Sequence, residues 1–154
     1  MKKTIIQKAE EFAIDEYKKN DSAHQWKHIK EVMKRALEIA KKFKDIDYES
    51  LKLAIIFHDI DYSSYENHVE DSIKIAEEFL KENDYPNEKI KKIKEMMLNH
   101  STPHRKKFGK AKLIEGKIIY DADKSIFIKN LETYNKYFPL LYLNETKKLV
   151  KNLK

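Results

Sequence analysis

A chain of 154 residues with 38% charged side chains and a net charge of +6 is long enough for one domain with a buried core. The absence of cysteine excludes disulfides, thiolate zinc sites and cysteine nucleophiles, and two Gly and three Pro leave little turn chemistry. The first twelve residues turn polar before an apolar core forms and no apolar run approaches ~20 residues, which predicts a cytoplasmic protein with neither signal peptide nor membrane span.

The positive charge suits acidic partners such as nucleotides or phosphorylated metabolites. Lys interleaved with Glu equally makes a solvated helical surface, so a dedicated nucleic-acid face is not favoured. Taken in chain order, periodicity predicts an all-α protein of about six or seven helices. The first covers about residues 3 to 18, with Ile6, Ala9, Phe12, Ala13 and Tyr17 on one stripe. Asn20, Asp21 and Ser22 break it. A second runs from His24 or His28 to Phe43, turning Ile29, Val32, Ala36 and Ala40 inward. A third, from Tyr48 to Phe57, is apolar nearly all round, as expected of a central helix.

Residues 61 to 65 read as a loop. A fourth helix from His68 to Lys81 presents Val69, Ile73, Ala76 and Leu80. Pro86 is placed to open a fifth, which carries Ile90, Ile93, Met96, Met97 and His100. Ser101, Thr102 and Pro103 end it, and Arg105 to Lys110 reads as a basic loop. A sixth helix runs from about Leu113 through Asp123 toward Tyr134, and Pro139 separates it from a short C-terminal helix. No linker or repeat divides the chain, so residues 1–154 are expected to form a single domain, with residues 131–154 as a helical extension.

The junction at the end of the third helix carries the chemistry. His58 and Asp59 close a segment apolar enough to be buried, where a carboxylate is costly unless it is paired or holds a metal. Such a pair suits a hard divalent ion (Mn, Fe, Co, Ni or Mg), and it suits a helix cap and a surface side chain equally well. His28 and His24 share a helix face, and His28 points along Val32 toward the core side. Asp123 lies on the stripe of Ile119 and Ile126, whereas Asp121 falls on the more polar line of Lys117 and Ser125. His28, His58, Asp59 and Asp123 together would supply two imidazoles and two carboxylates. Four ligands leave positions open on a six-coordinate ion, a catalytic rather than a closed structural arrangement.

The segments Asp21 to Val32, His58-Asp59-Ile60 and Tyr120 to Lys124 resemble the ordered motifs of the HD-domain superfamily over about residues 20 to 130. The resemblance implies a helical metal-dependent phosphohydrolase with His28, His58, Asp59 and Asp123 as ligands. Asn67-His68-Val69-Glu70 and His100-Ser101 are similar to segments of its small stand-alone hydrolases. In binuclear relatives, extra histidines hold a second ion. His68 and His100 are therefore candidates for a second ion or for phosphate or water contact, and the latter is preferred because four residues already suffice for one ion. Glu31, Gln25, Ser125-Ile126 and Tyr62 depart from the commonest patterns, so the resemblance assigns no branch.

The expected reaction is hydrolysis of a phosphate ester or anhydride by a metal-activated water, on a nucleotide or small phosphorylated metabolite. Asp59 would ligate the ion and orient the water, with Lys124 as a phosphate clamp; Arg105, Lys106 and Lys107 are weaker candidates for that clamp. The alternative is a non-catalytic helical module of the same fold that binds a nucleotide or nucleic acid.

Overall fold

Four helices start where a side chain accepts the backbone N–H groups that a helix leaves unpaired at its first turn. Thr4 caps α1 (Ile5–Tyr17) in a reciprocal capping box with Gln7, and Asp47 caps α3 (Tyr48–Phe57). Ser101 caps α6 (Thr102–Phe108), and Asn130 caps α8 (Leu131–Tyr137) in a second box with Thr133. The others are α2 (Trp26–Ala40), α4 (His68–Glu82), α5 (Asn87–Asn99), α7 (Ile114–Ser125) and α9 (Asn144–Lys151), with a 3₁₀ turn at Phe138–Leu140. The structure is a computed structural model and describes residues 2–20, 25–61 and 67–151. Among these residues there is no strand, so the all-α expectation holds, with nine α-helices instead of six or seven.

The centre of the molecule is α3. Leu53 through Phe57 are inaccessible to solvent, and Leu53, Ile55, Ile56 and Phe57 each contribute about 1.5–3 kcal/mol by leaving water. Around it pack α1, α2, α5 and α7, while α4 lies against α3 and α5. Phe12, Phe57 and Phe79 form an aromatic knot joining α1, α3 and α4, with ring centroids 5.0–6.3 Å apart. On the other side α2 packs along α7, where Arg35 donates to the buried Ser125 hydroxyl at 2.9 Å. No helix among the described residues is long and apolar enough to cross a membrane.

The extra helices come from capping signals. Ser-Thr-Pro does stop α5, but it also starts α6. The Ser101 hydroxyl accepts from His104 N, and Pro103 falls in the first turn, where its missing N–H costs nothing. Arg105 through Phe108 are therefore helical, not a loop. The single helix expected from Leu113 toward Tyr134 is two, because Asn130 and Thr133 cap a new start after α7 ends at Ser125. The expected loop at 61 to 65 lies outside the described residues after Asp61.

Candidate metal centre

The chain leaves α3 through a tight turn that carries the His-Asp pair. His58 N bonds Ile55 O at 3.3 Å and Ile60 N bonds Phe57 O at 3.1 Å, so helical hydrogen bonding gives way to shorter i→i+3 closure. His58 is 0% exposed and Asp59 is 4% exposed.

Three elements converge there. His28 Nε2 of α2 lies 3.1 Å from Asp123 Oδ1 of α7 and 3.9 Å from Asp59 Oδ2. His58 Nε2 lies 3.3 Å from Asp59 Oδ2 and 3.5 Å from Asp123 Oδ1. One donor atom from each of the four falls within 4.8 Å of all the others. Around an octahedral ion with bonds of about 2.1 Å, neighbouring donors sit about 3 Å apart and opposite donors about 4 Å apart. The four histidine–carboxylate separations, 3.1 to 3.9 Å, lie in that range, so the donor set suits a divalent ion.

His58 supplies a second test of fit. Its Nδ1 lies 2.6 Å from Ile55 O and donates there, which leaves Nε2 facing the two carboxylates. That nitrogen is buried and has no hydrogen-bond partner. A lone pair aimed at two anionic oxygens requires a cation or a proton between them. Burial disfavours the imidazolium, yet Asp59 and Asp123 outweigh it and push His58 up to about 10. Without metal the two carboxylates thus favour the protonated imidazole, and metal binding would displace that proton. Burial works against ionisation of both carboxylates too. His58 and His100 nevertheless hold Asp59 well below the usual carboxylate range, and Lys124, His28 and His58 do the same for Asp123.

Each carboxylate divides its two oxygens. Asp59 turns Oδ2 to His28 and His58, and Oδ1 to His100 Nε2 at 3.4 Å and His68 Nε2 at 3.7 Å. Asp59, His68 and His100 form a second group that could hold an ion. The His100 Nδ1 contacts Met97 O at 2.5 Å, so Nε2 faces the cluster, and burial pushes this imidazole down toward the neutral form despite Asp59. Asp123 turns Oδ1 to the histidines and Oδ2 to Lys124 Nζ at 3.0 Å. Burial disfavours that ammonium, but Asp123 keeps it charged.

Of the residues expected at the site, His28, His58, Asp59, His68, His100, Asp123 and Lys124 are brought together; His24 lies outside the described residues. Arg105 is committed elsewhere. Its guanidinium lies 4.1 Å from the Tyr142 ring centroid and 5.1 Å from that of Tyr120, and Nη1 donates to Leu140 O at 2.6 Å. Asp121, assigned to a polar line by periodicity, is fully buried. It accepts from Tyr142 N at 2.8 Å, Leu143 N at 2.9 Å and the Thr146 hydroxyl at 2.7 Å, so α9 and the two residues before it supply the cover that the local pattern could not show.

Sequence reasoning missed three neighbours of the site. The Tyr17 hydroxyl donates to Ile56 O at 2.6 Å and accepts from Asp59 N at 3.3 Å. Asn20 Nδ2 donates to Asp59 O at 2.9 Å. Phe127, 38% exposed, sets its ring 5.6 Å from that of His28 and 6.1 Å from that of Tyr137. Tyr17 signalled only a helical stripe and Asn20 only a break, and nothing in the chain pattern marked Phe127.

Among curated proteins none matches the chain significantly. The fold is similar to the crystal structure of a predicted HD superfamily hydrolase from an uncultured Thermotogales bacterium. The TM-score is 0.73 and the identity 20%, covering 95% of this chain and 83% of that one. The family model described as HD domain matches residues 26–126. That match opens with the helix of His28 and closes just past the helix of Asp123, so the whole four-residue cluster falls inside it, and the chain belongs to the HD-domain family, one of metal-dependent phosphohydrolases.

Proposed function

We propose that the protein hydrolyses a phosphate ester or anhydride of a nucleotide or another small phosphorylated metabolite at a divalent-metal centre held by His28, His58, Asp59 and Asp123. The observation that carries this reading is the buried His58 Nε2, without a hydrogen-bond partner and directed at two carboxylates. When bound, a divalent ion supplies Lewis-acid polarisation of a phosphoryl oxygen and lowers the pKa of a coordinated water.

The chain's own residues do the rest. Asp59 would orient the water indirectly, as a ligand that turns one carboxylate oxygen to each histidine pair. Lys124, held beside Asp123, offsets the charge that develops on the phosphoryl oxygens. The sequence favours His68 and His100 as phosphate or water contacts. The division of the Asp59 oxygens favours a second ion instead, which Asp59, His68 and His100 would hold and which would supply further Lewis-acid polarisation. The exposed face of Phe127, next to His28 and backed by Tyr137, offers a planar surface to a nucleobase, which favours nucleotides over aliphatic phosphates.

Elemental analysis of the purified protein tests the centre, followed by phosphatase and nucleotide-pyrophosphatase screens with the metal found. His58→Ala and Asp59→Ala should both lose bound metal and turnover together. Metal content unchanged in both variants would overturn the ligand assignment. Salt-sensitive nucleic-acid binding without turnover under any divalent metal would favour the non-catalytic module.

A further inference from the structure

We infer that α1, which precedes the residues matched to the family, belongs to the metal centre, with Tyr17 and Asn20 as positioning residues that fix the direction of the Asp59 carboxylate. The inference rests on the reading of Asp59 as a ligand.

The reason lies in the backbone of the turn. In an uninterrupted helix Asp59 N–H would bond Ile55 O, but that carbonyl already takes His58 N and His58 Nδ1. Ile56 O and Asp59 N–H are then left over inside the protein, where unpaired backbone groups are costly. The Tyr17 hydroxyl sits between them. It has one proton and can accept with its lone pairs, so it donates to the carbonyl at 2.6 Å and accepts from the amide at 3.3 Å. Beyond the same residue, Asn20 Nδ2 takes Asp59 O at 2.9 Å and reaches toward Ile60 O at 3.5 Å.

Both peptide groups flanking the Asp59 Cα are thereby tied to α1 or the residues just after it. Rotation of either peptide would swing a carboxylate whose two oxygens must face different histidine pairs. A loosening of about 1 Å is enough to degrade a site of this kind. The Tyr17 ring also packs 5.9 Å from that of Trp26, two residues before His28, so one side chain touches the supports of two candidate ligands. Core packing alone calls for a Phe at position 17; the hydroxyl is what the turn requires.

The test uses the full chain and Co(II) as the probe metal, with affinity read from its visible absorption bands. Tyr17→Phe keeps the ring and Asn20→Ala removes the second tie; each should weaken Co(II) binding by about 10- to 100-fold and alter the band pattern. Thr146→Val removes a buried hydrogen bond between α9 and Asp121 that involves no residue of the turn, and it should lower the melting temperature while leaving Co(II) affinity within twofold. Unchanged affinity in Tyr17→Phe and Asn20→Ala, or equal weakening in Thr146→Val, would overturn the inference. If the wild-type protein binds no divalent metal, the reading of the centre fails. The clamp is then judged by amide hydrogen exchange, where Tyr17→Phe should speed exchange at Asp59 and spare the interior of α3; unaltered exchange at Asp59 overturns it.

Discussion

Asp121 and Asp123 are two residues apart on one helix, both are buried, and they live in opposite chemical surroundings. Asp123 points toward α2 and α3, among two imidazoles and an ammonium, which hold its carboxyl well below the usual range. Asp121 points toward α9, among neutral donors. Burial pushes its carboxyl up, only partly opposed by the hydrogen bonds from Thr146, Tyr142 and Leu143 and by the charge of Arg105. The difference teaches that burial alone does not mark a functional carboxylate. Cationic or metal-ligating neighbours point to chemistry, and backbone N–H groups from a distant segment point to architecture.

The comparison breaks most visibly on Asp123. Asp123→Ala should empty the centre of metal and lower hydrolysis by more than about 100-fold, since loss of an outer-shell partner alone costs up to that much. Far-UV circular dichroism should stay that of the wild type. Retention of metal at full stoichiometry would remove Asp123 from the proposed ligand set.

Asp121→Ala should do the reverse. It strands two backbone N–H groups and one hydroxyl without an acceptor, at about 1 kcal/mol or more each, so the loss of stability is about 3 kcal/mol. For a chain of this size the melting temperature should fall by roughly 6–12 °C. Metal content at 25 °C should be unchanged. A variant of normal stability that has lost its metal would reverse the roles assigned to the two aspartates.

The two residues also show what the sequence could and could not reveal. Asp123 was legible because Ile119 and Ile126 place it on an apolar stripe, and because ordered His and Asp motifs fall on other helices. Asp121 was sorted wrongly because Lys117 and Ser125 gave its line a polar look. The cover over that line comes from Tyr142, Leu143 and Thr146, more than twenty positions away, and no local period carries such information. Helices α1, α3, α4 and α5 were readable within a residue or two from apolar spacing. The starts of α6 and α8 are present as cap residues, Ser101 and Asn130, but apolar spacing alone masks them. Tyr17 was visible as a core residue and invisible as a hydroxyl, because a hydrogen bond to a turn 39 positions away leaves no periodic trace.

A third face of α7 sharpens the contrast at smaller cost. Gly116 meets α5, and a Cβ added there would lie 2.0 Å from Asn99 Oδ1 and 2.9 Å from Asn99 Cβ. The side-chain amide can turn away but its Cβ cannot, so Gly116→Ala should destabilise the protein by about 1–3 kcal/mol. Because Asn99 immediately precedes His100, the strain reaches the second cluster before the first. On the proposed two-ion reading, metal analysis of this variant should therefore show partial loss, from the His68 and His100 group, with the ion proposed at His28 and Asp123 retained. Uniform loss of both would mean that the two groups are not separable.

The smallest effect belongs to the opposite end of α3. Asp47 caps that helix, accepting from Ser50 N at 3.1 Å and pairing with Lys89 at 2.7 Å and Lys92 at 3.3 Å. Burial works against its charge, but these partners together hold its carboxyl far below the usual range. A carboxyl lowered on folding stabilises the protein above its unfolded value of about 4, and that contribution is lost as pH falls through the lower folded value. Asp47→Ala should cost about 1 kcal/mol at neutral pH and leave metal content untouched. In metal-free protein its stability should also depend less on pH on the acid side than the wild type does. At the other end of the helix the same acidification acts through protons competing with metal for imidazole. Measured with and without metal, the Asp47→Ala variant should flatten both curves equally and leave their difference, the metal-dependent part, unchanged. Flattening of the metal-dependent part as well would show that the cap and the His-Asp turn are coupled through α3 instead of acting as independent ends.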